Sequence, residues 1–187
     1  MRIAYLGPPG TFSEEAATRY DGNAELLPLT TIAEVFEAVS SGLAERGVVP
    51  FESTLGGPVA ATAELLAQQT GAVARDQIDL PTDHCLATRC GVSASEVRVV
   101  FSHPQAIAEC RAYLERRLPQ ARQSASASTA AALDDMERCA EPAAAICSQR
   151  AAEGRAEIIA RRIQDRPDNT TRFIILARSR RESTRGA

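Results

Sequence analysis

Apolar and polar positions change places in blocks along the chain, and the period within each block sets the element it predicts. Residues 3–6 form a short apolar run that reads as a buried strand, and residues 24–29, 47–51, 97–101 and 142–147 repeat the pattern. Between these runs the apolar positions recur at helical spacing. Ile32, Val35, Phe36 and Val39 share one face, as do Ala106, Cys110, Tyr113 and Leu114. Helices are predicted from Thr11 to about Tyr20, from Thr31 to Gly42, from Pro58 to about Thr70, from Pro104 to about Arg117, over 130–138 and over 148–154. Capping pairs mark three starts: Thr11 with Glu14, Thr31 with Glu34, and Ser102 with Gln105. Pro58 and Pro104 stand in first turns, while Gly42 and Gly71 supply stops. Residues 72–80, 83–87, 121–127 and 158–159 read as extended connections, and Ile174-Ile175-Leu176-Ala177 as a last buried strand. This sustained alternation, without an internal repeat, predicts an α/β architecture of mostly parallel sheets flanked by helices.

Five junctions between these elements are polar. They are Gly7-Pro8-Pro9-Gly10-Thr11-Phe12-Ser13, the loop from Pro50 through Glu52-Ser53-Thr54 to Gly57, Ser102-His103-Pro104-Gln105, Ser128-Thr129, and Asn169-Thr170-Thr171-Arg172-Phe173. A glycine-rich turn from a strand tip into a helix leaves backbone N–H groups free to receive an anion. Ligands of doubly wound sheets bind beside such loops, at the carboxyl ends of strands. Arg172, at the mouth of an apolar strand, needs an anionic partner from the chain or from a ligand. Ser102 reads as a helix cap that can also offer its hydroxyl. His84 reads as a satisfied core or hinge residue, and His103, at a strand tip, is the better placed of the two for chemistry.

Composition narrows the classes. Charged residues make up 24% with a net charge of −3, so no basic field points to nucleic acid or an anionic membrane. Aromatic residues are 4% with no Trp, which argues against a base-stacking platform. Cys85, Cys90, Cys110, Cys139 and Cys147 are an odd, scattered set without a Cys-x-x-Cys pair, so reduced thiols in a cytoplasmic protein are expected and a metal site is not. The N-terminal apolar run is too short for a signal sequence, and no run approaches transmembrane length.

In order and spacing the five junctions resemble the catalytic domain of the prephenate dehydratase family, over nearly the whole chain. Ile163-Gln164-Asp165 before the last junction, and Ala144-Ala145-Ile146 with Gln149-Arg150-Ala151-Ala152, extend the likeness. The resemblance implies two lobes like a type II periplasmic binding protein with the active site in the cleft between them. Residues 1–78 plus 168–187 would form the first lobe and 79–167 the second. It implies conversion of prephenate to phenylpyruvate with loss of carbon dioxide and water, in phenylalanine biosynthesis or a specialised pathway. No metal or organic cofactor and no nucleic-acid partner are expected, and the family implies a homo-oligomer, dimer or tetramer.

Carried over residue by residue, the resemblance makes Thr171 the group acting on the leaving hydroxyl and Arg172 a carboxylate clamp, with Glu52 and His103 as titratable neighbours. Thr11, Ser13, Ser53, Thr54, Gly57, Ser102, Gln105, Ser128, Thr129, Asn169 and Phe173 become substrate-binding positions. The chain departs from the family's Pro-Ile-Glu-Asn-Ser at Pro50-Phe51-Glu52-Ser53-Thr54, where a serine hydroxyl replaces an amide. It departs from the following Glu-Gly-Ser at Gly56-Gly57-Pro58. The residues after Phe173 are too few for the family's regulatory ACT domain. Two alternatives stand beside this expectation: a non-aromatising prephenate decarboxylase and a non-catalytic ligand-binding module. The amino analogue arogenate is an alternative substrate.

Overall fold

Ile3, Ala4 and Tyr5 are fully buried because their strand lies inside a sheet covered on both faces. In the computed structural model, which describes residues 1–68 and 70–179, that strand is β1 (Arg2–Leu6). Residue 69, assigned above to a helix, and residues 180–187, assigned to the first lobe, lie outside the described residues. After β1 come α1 (Phe12–Tyr20), β2 (Glu25–Leu29), α2 (Ile32–Ser41), β3 (Arg46–Ser53), β4 (Gly57–Pro58), α3 (Ala60–Ala67) and β5 (Ala72–Pro81). The chain then builds a second sheet from β6 (Cys85–Thr88), β7 (Val99–Ser102), α4 (Pro104–Glu109), α5 (Arg111–Arg117), β8 (Arg122–Ala125), α6 (Ala131–Arg138), β9 (Ala143–Cys147), α7 (Gln149–Ala152) and β10 (Glu157–Arg161). Finally β11 (Thr170–Arg178) returns to the first sheet.

The first sheet runs β2-β1-β3-β11-β5, with β4 hairpinned onto β3; the second runs β10-β6-β9-β7-β8. Parallel pairing holds for β2, β1 and β3 and for β8, β7 and β9. The remaining pairs are antiparallel, so the sheets are mixed rather than mostly parallel. Three of the extended connections of the sequence become antiparallel-paired strands, β5, β6 and β10, while the fourth, over 121–127, becomes the parallel β8. The chain passes between sheets on β5 and β11, which lie side by side from Thr170 opposite Pro81 to Arg178 opposite Ala72. The chain leaves the first sheet on β5, builds the second sheet and returns on β11, so the two neighbours run in opposite directions.

Each face of each sheet carries one apolar cluster. Alternation along β11 sends Ile174 and Leu176 toward α2 and α3, and Phe173 and Ile175 toward α1. Along β9, Ala143, Ala145 and Cys147 face α6 and α7, while Ala144 and Ile146 face α4 and α5. Among the described residues no helix is long and apolar enough to cross a membrane. All five cysteines are free, and burial raises the thiols of Cys85, Cys110 and Cys147, the last to about 12.

Two predicted helices are corrected. Pro58 does not open a helix: Gly57 and Pro58 pair with Ser53 and Glu52, and the Val59 N–H donates to the Phe51 carbonyl at 2.7 Å, delaying the helix to Ala60. The single helix expected over 104–117 is two, broken at Cys110. Asp165 supplies the reason. Its backbone N–H donates to the Glu109 carbonyl at 2.7 Å, and its carboxylate accepts from the Ala112 N–H at 3.1 Å, capping the second helix from outside.

Candidate active site

The carboxyl ends of β1, β3 and β7 and the segment leaving β5 converge on a cleft of about 370 Å³ between the two sheets. From the first sheet come Thr11 and Ser13 at the start of α1, Ser53 at the end of β3, and Thr171 and Phe173 of β11. From the second come His103 and Gln105 at the start of α4, and Ser128 and Thr129 ahead of α6. Nine of the residues picked out in the sequence therefore line one space, together with Thr82, His84 and Glu109. Among the described residues no arginine or lysine lines it.

The local chemistry explains each placement. Thr11 caps α1, accepting from the Glu14 N–H and donating to the Leu6 carbonyl at 3.2 Å, which fixes the turn out of β1. Gly10 adopts φ 87°, a left-handed conformation natural only to glycine, and packs on Ala151 of the facing helix. Ser128 caps α6 by accepting from the Ala131 N–H at 2.9 Å. His103 caps α4: its Nδ1 accepts from the Gln105 N–H at 3.3 Å, leaving Nε2 as the free ring nitrogen on an exposed side chain.

A buried carboxylate organises the cleft wall. Glu109 is 7% exposed and accepts three hydrogen bonds: Oε1 from Gln105 Nε2 at 2.9 Å, and Oε2 from Asn169 Nδ2 at 2.9 Å and from His84 Nε2 at 2.8 Å. Burial pushes its carboxyl up, but the hydrogen bonds from His84, Gln105 and Asn169 together outweigh it and hold the group below its usual range. An ionised Glu109 fixes His84 as the tautomer with hydrogen on Nε2. The second hydrogen of the same Gln105 Nε2 goes to Ser53 Oγ at 3.0 Å, bridging the sheets. Ser53 Oγ also accepts from the Gly56 N–H at 2.7 Å. A side chain at position 56 would strike the Gln105 amide, so Gly56 is what lets the bridge close.

Six predicted site residues stand elsewhere. β11 is extended, so Thr171 and Phe173 face the cleft and Arg172 faces away. Its guanidinium donates to both oxygens of Asp79, Nε to Oδ1 at 2.9 Å and a terminal nitrogen to Oδ2 at 3.3 Å, and lies 3.8 Å from Glu52. Arg172, Glu52, Thr54 and Gly57 line a separate recess of about 390 Å³. The carboxylate partner of Arg172 is thus within the chain, and a clamp on a ligand in the cleft would have to stand on the other side of β11. Gly57 lies in β4 and α3 begins only at Ala60, so Gly57 itself is not the N-terminus of a helix. Ser102 is buried and donates to the Ile146 carbonyl at 2.7 Å, stitching β7 to β9. Asn169 lies behind the cleft on Glu109.

The sequence does not single out Thr82 or Glu109; His84, read as a satisfied core or hinge residue, is buried and bonded to Glu109 as that reading expects, and also lines the cleft. Gln105 and Glu109 are spaced i,i+4 in a helix opened by Ser-His-Pro-Gln, which places them on one face. That was the available signal, and it looks the same as a solvated charge. Thr82 carried none until the pairing of β5 with β11 set it beside Thr171.

The family profile described as Prephenate dehydratase matches residues 3–181. Arogenate dehydratase/prephenate dehydratase 2 of Arabidopsis thaliana is 36% identical over 95% of this chain and 46% of its own length. The bifunctional chorismate mutase/prephenate dehydratase of Aquifex aeolicus is 37% identical over 95% of this chain and 49% of its own. The chain therefore spans about half the length of these relatives. Among solved structures, the prephenate dehydratase of Arthrobacter aurescens in complex with L-Phe superposes with a TM-score of 0.90 at 31% identity, over 96% of this chain and 61% of that one. A protein described as a quorum quenching acylase superposes with a TM-score of 0.82 at 29% identity, over 96% of this chain and 64% of that one. Matched by that family profile over residues 3–181, almost all of its sequence, the chain belongs to the prephenate dehydratase family.

Proposed function

We propose that the chain catalyses the decarboxylative dehydration of prephenate to phenylpyruvate, in the cleft between two lobes built on the two sheets. The observation that carries this reading is Thr171: it faces a cleft lined by hydroxyls and helix N-termini rather than by arginine or lysine. Prephenate is a dianion with a ring hydroxyl. The N-termini of α1 and α6 both open into the cleft, and backbone N–H groups there receive carboxylates without a counter-cation. Hydroxyls of Thr11, Ser13, Ser128 and Thr129 add donors. The buried Phe173 packs beneath and fixes the strand.

The reaction takes up one proton. The prephenate dianion plus a proton gives the phenylpyruvate anion, carbon dioxide and water. The carbon–carboxylate bond breaks and its electron pair enters the ring, while the ring carbon–oxygen bond breaks and the hydroxyl leaves with the proton. A threonine hydroxyl is too weak an acid to be the source of that proton, so Thr171 donates a hydrogen bond to the departing oxygen. His103, exposed at the cleft mouth with Nε2 free, is the titratable group placed to pass a proton inward. Arg172 holds β11 to β5 through Asp79 in this reading, and Glu52 stands beside it.

Product analysis tests the proposal. Incubated with prephenate, the protein should release carbon dioxide and phenylpyruvate in equal amounts. A non-aromatic dihydro product would make it a decarboxylase, and turnover of arogenate alone would move the substrate to the amino analogue. Binding without turnover of either would leave a ligand-binding module.

A further inference from the structure

The Thr171 hydroxyl has one hydrogen-bond partner among the described residues, and it is another hydroxyl: Thr82 Oγ1, at 2.8 Å. That is the ordinary O–H···O length, so one hydroxyl donates to the other. Thr82 is buried, 5% exposed, while Thr171 is half-buried and faces the cleft. Two arrangements of the two hydrogens satisfy the pair. In the first, Thr82 donates to the Leu80 carbonyl and Thr171 donates to Thr82, so Thr171 can only accept from a ligand. In the second, Thr82 donates to Thr171, and the Thr171 hydrogen is left pointing at whatever occupies the cleft. The Leu80 contact is 3.4 Å, at the far end of hydrogen-bonding range, which makes the first arrangement the weaker. A departing hydroxyl needs a donor, and only the second arrangement supplies one.

We propose that Thr82 is the positioning residue for Thr171: its hydroxyl occupies the Thr171 acceptor site and turns the Thr171 hydrogen toward the ligand. Thr82 is itself held rigidly. Its N–H donates to the Asn169 carbonyl at 2.9 Å, and Asn169 is in turn held by donating Nδ2 to Glu109 at 2.9 Å, with only a long 3.4 Å contact from Nδ2 to the Thr82 carbonyl. These are backbone and Asn169 contacts, so replacing the Thr82 hydroxyl by a methyl group leaves all of them in place. The buried carboxylate thereby connects to Thr171 through Asn169 and Thr82. The inference rests on the dehydratase reading, since without a departing oxygen the direction of the Thr171 hydrogen has no consequence.

The test compares Thr82→Val, which keeps the shape and removes the hydroxyl, with Thr82→Ser, which restores it. With the substrate that the wild type turns over, T82V should lower kcat about tenfold with KM within about twofold, and T82S should recover most of the loss. Introduced into Thr171→Val, T82V should cost nothing further, because a residue that acts through Thr171 has nothing left to position. An undiminished kcat in T82V, a loss that T82S does not rescue, or a full tenfold loss on the T171V background would each overturn the inference. If the wild type converts neither prephenate nor arogenate, the dehydratase reading fails and this one with it; an active wild type with an unaffected T82V sinks this one alone.

Discussion

Thr171 and Arg172 are neighbours in the chain and face opposite sides of β11, so the same motif sends one side chain to the cleft and the other to Asp79. The ion pair is exposed, and solvent screening leaves pairs of this kind little weight in stability. Arg172→Gln should therefore leave KM within about threefold, measured by steady-state kinetics. A hundredfold rise would mean that the guanidinium reaches the ligand after all. The motif was legible in the sequence, as were the helix caps at Thr11, Thr31 and Ser128. The direction in which each motif residue points was not, because it depends on the register of β11 between β3 and β5, a pairing across more than ninety residues.

At the scale of elements, glycines set how closely layers approach. A Cβ on Gly47 would meet Val35 and Val39 of α2 at 2.9 Å, closer than side chains pack. Gly47→Ala should cost about 1–3 kcal/mol by overpacking, read from chemical denaturation. Gly56→Ala should behave differently, since the group it meets is the end of the flexible Gln105 side chain. Stability should fall little while the Ser53–Gln105 bridge opens and turnover drops; unchanged turnover would show that the bridge is dispensable. Periodicity with caps and apolar runs gave β1, β2, β3, β7, β9 and β11 and most helices, whereas β5, β6, β8 and β10 read only as extended connections. What local pattern hid was the break at Cys110, imposed by Asp165 from fifty-five residues away, and the β4 hairpin that postpones α3 past Pro58.

Across the whole molecule, Glu109 ties α4 to the two segments that pass between the sheets, through His84 on one and Asn169 on the other. Because its carboxyl is held below the ordinary value in the folded protein, the stabilisation is complete above the unfolded-state value and is lost as pH falls through the folded one. Glu109→Gln keeps the shape but sets an amide against donors, and should cost about 1–3 kcal/mol at neutral pH. Denaturation at pH 7 and pH 3 should show the gap between wild type and E109Q narrowing in acid; a constant gap would mean that the carboxylate is not the stabilising form. The α/β class followed from the alternation of elements and the two lobes from the family resemblance, whereas this knot joins residues 84, 109 and 169, which no local pattern connects.

The most direct measurement is turnover of prephenate by the wild type and by Thr171→Val, with ligand affinity measured in parallel. The wild type should form phenylpyruvate, and T171V should lose about a hundredfold or more in kcat while binding the ligand within about threefold of wild type. Phenylpyruvate formed by T171V at the wild-type rate would contradict the account.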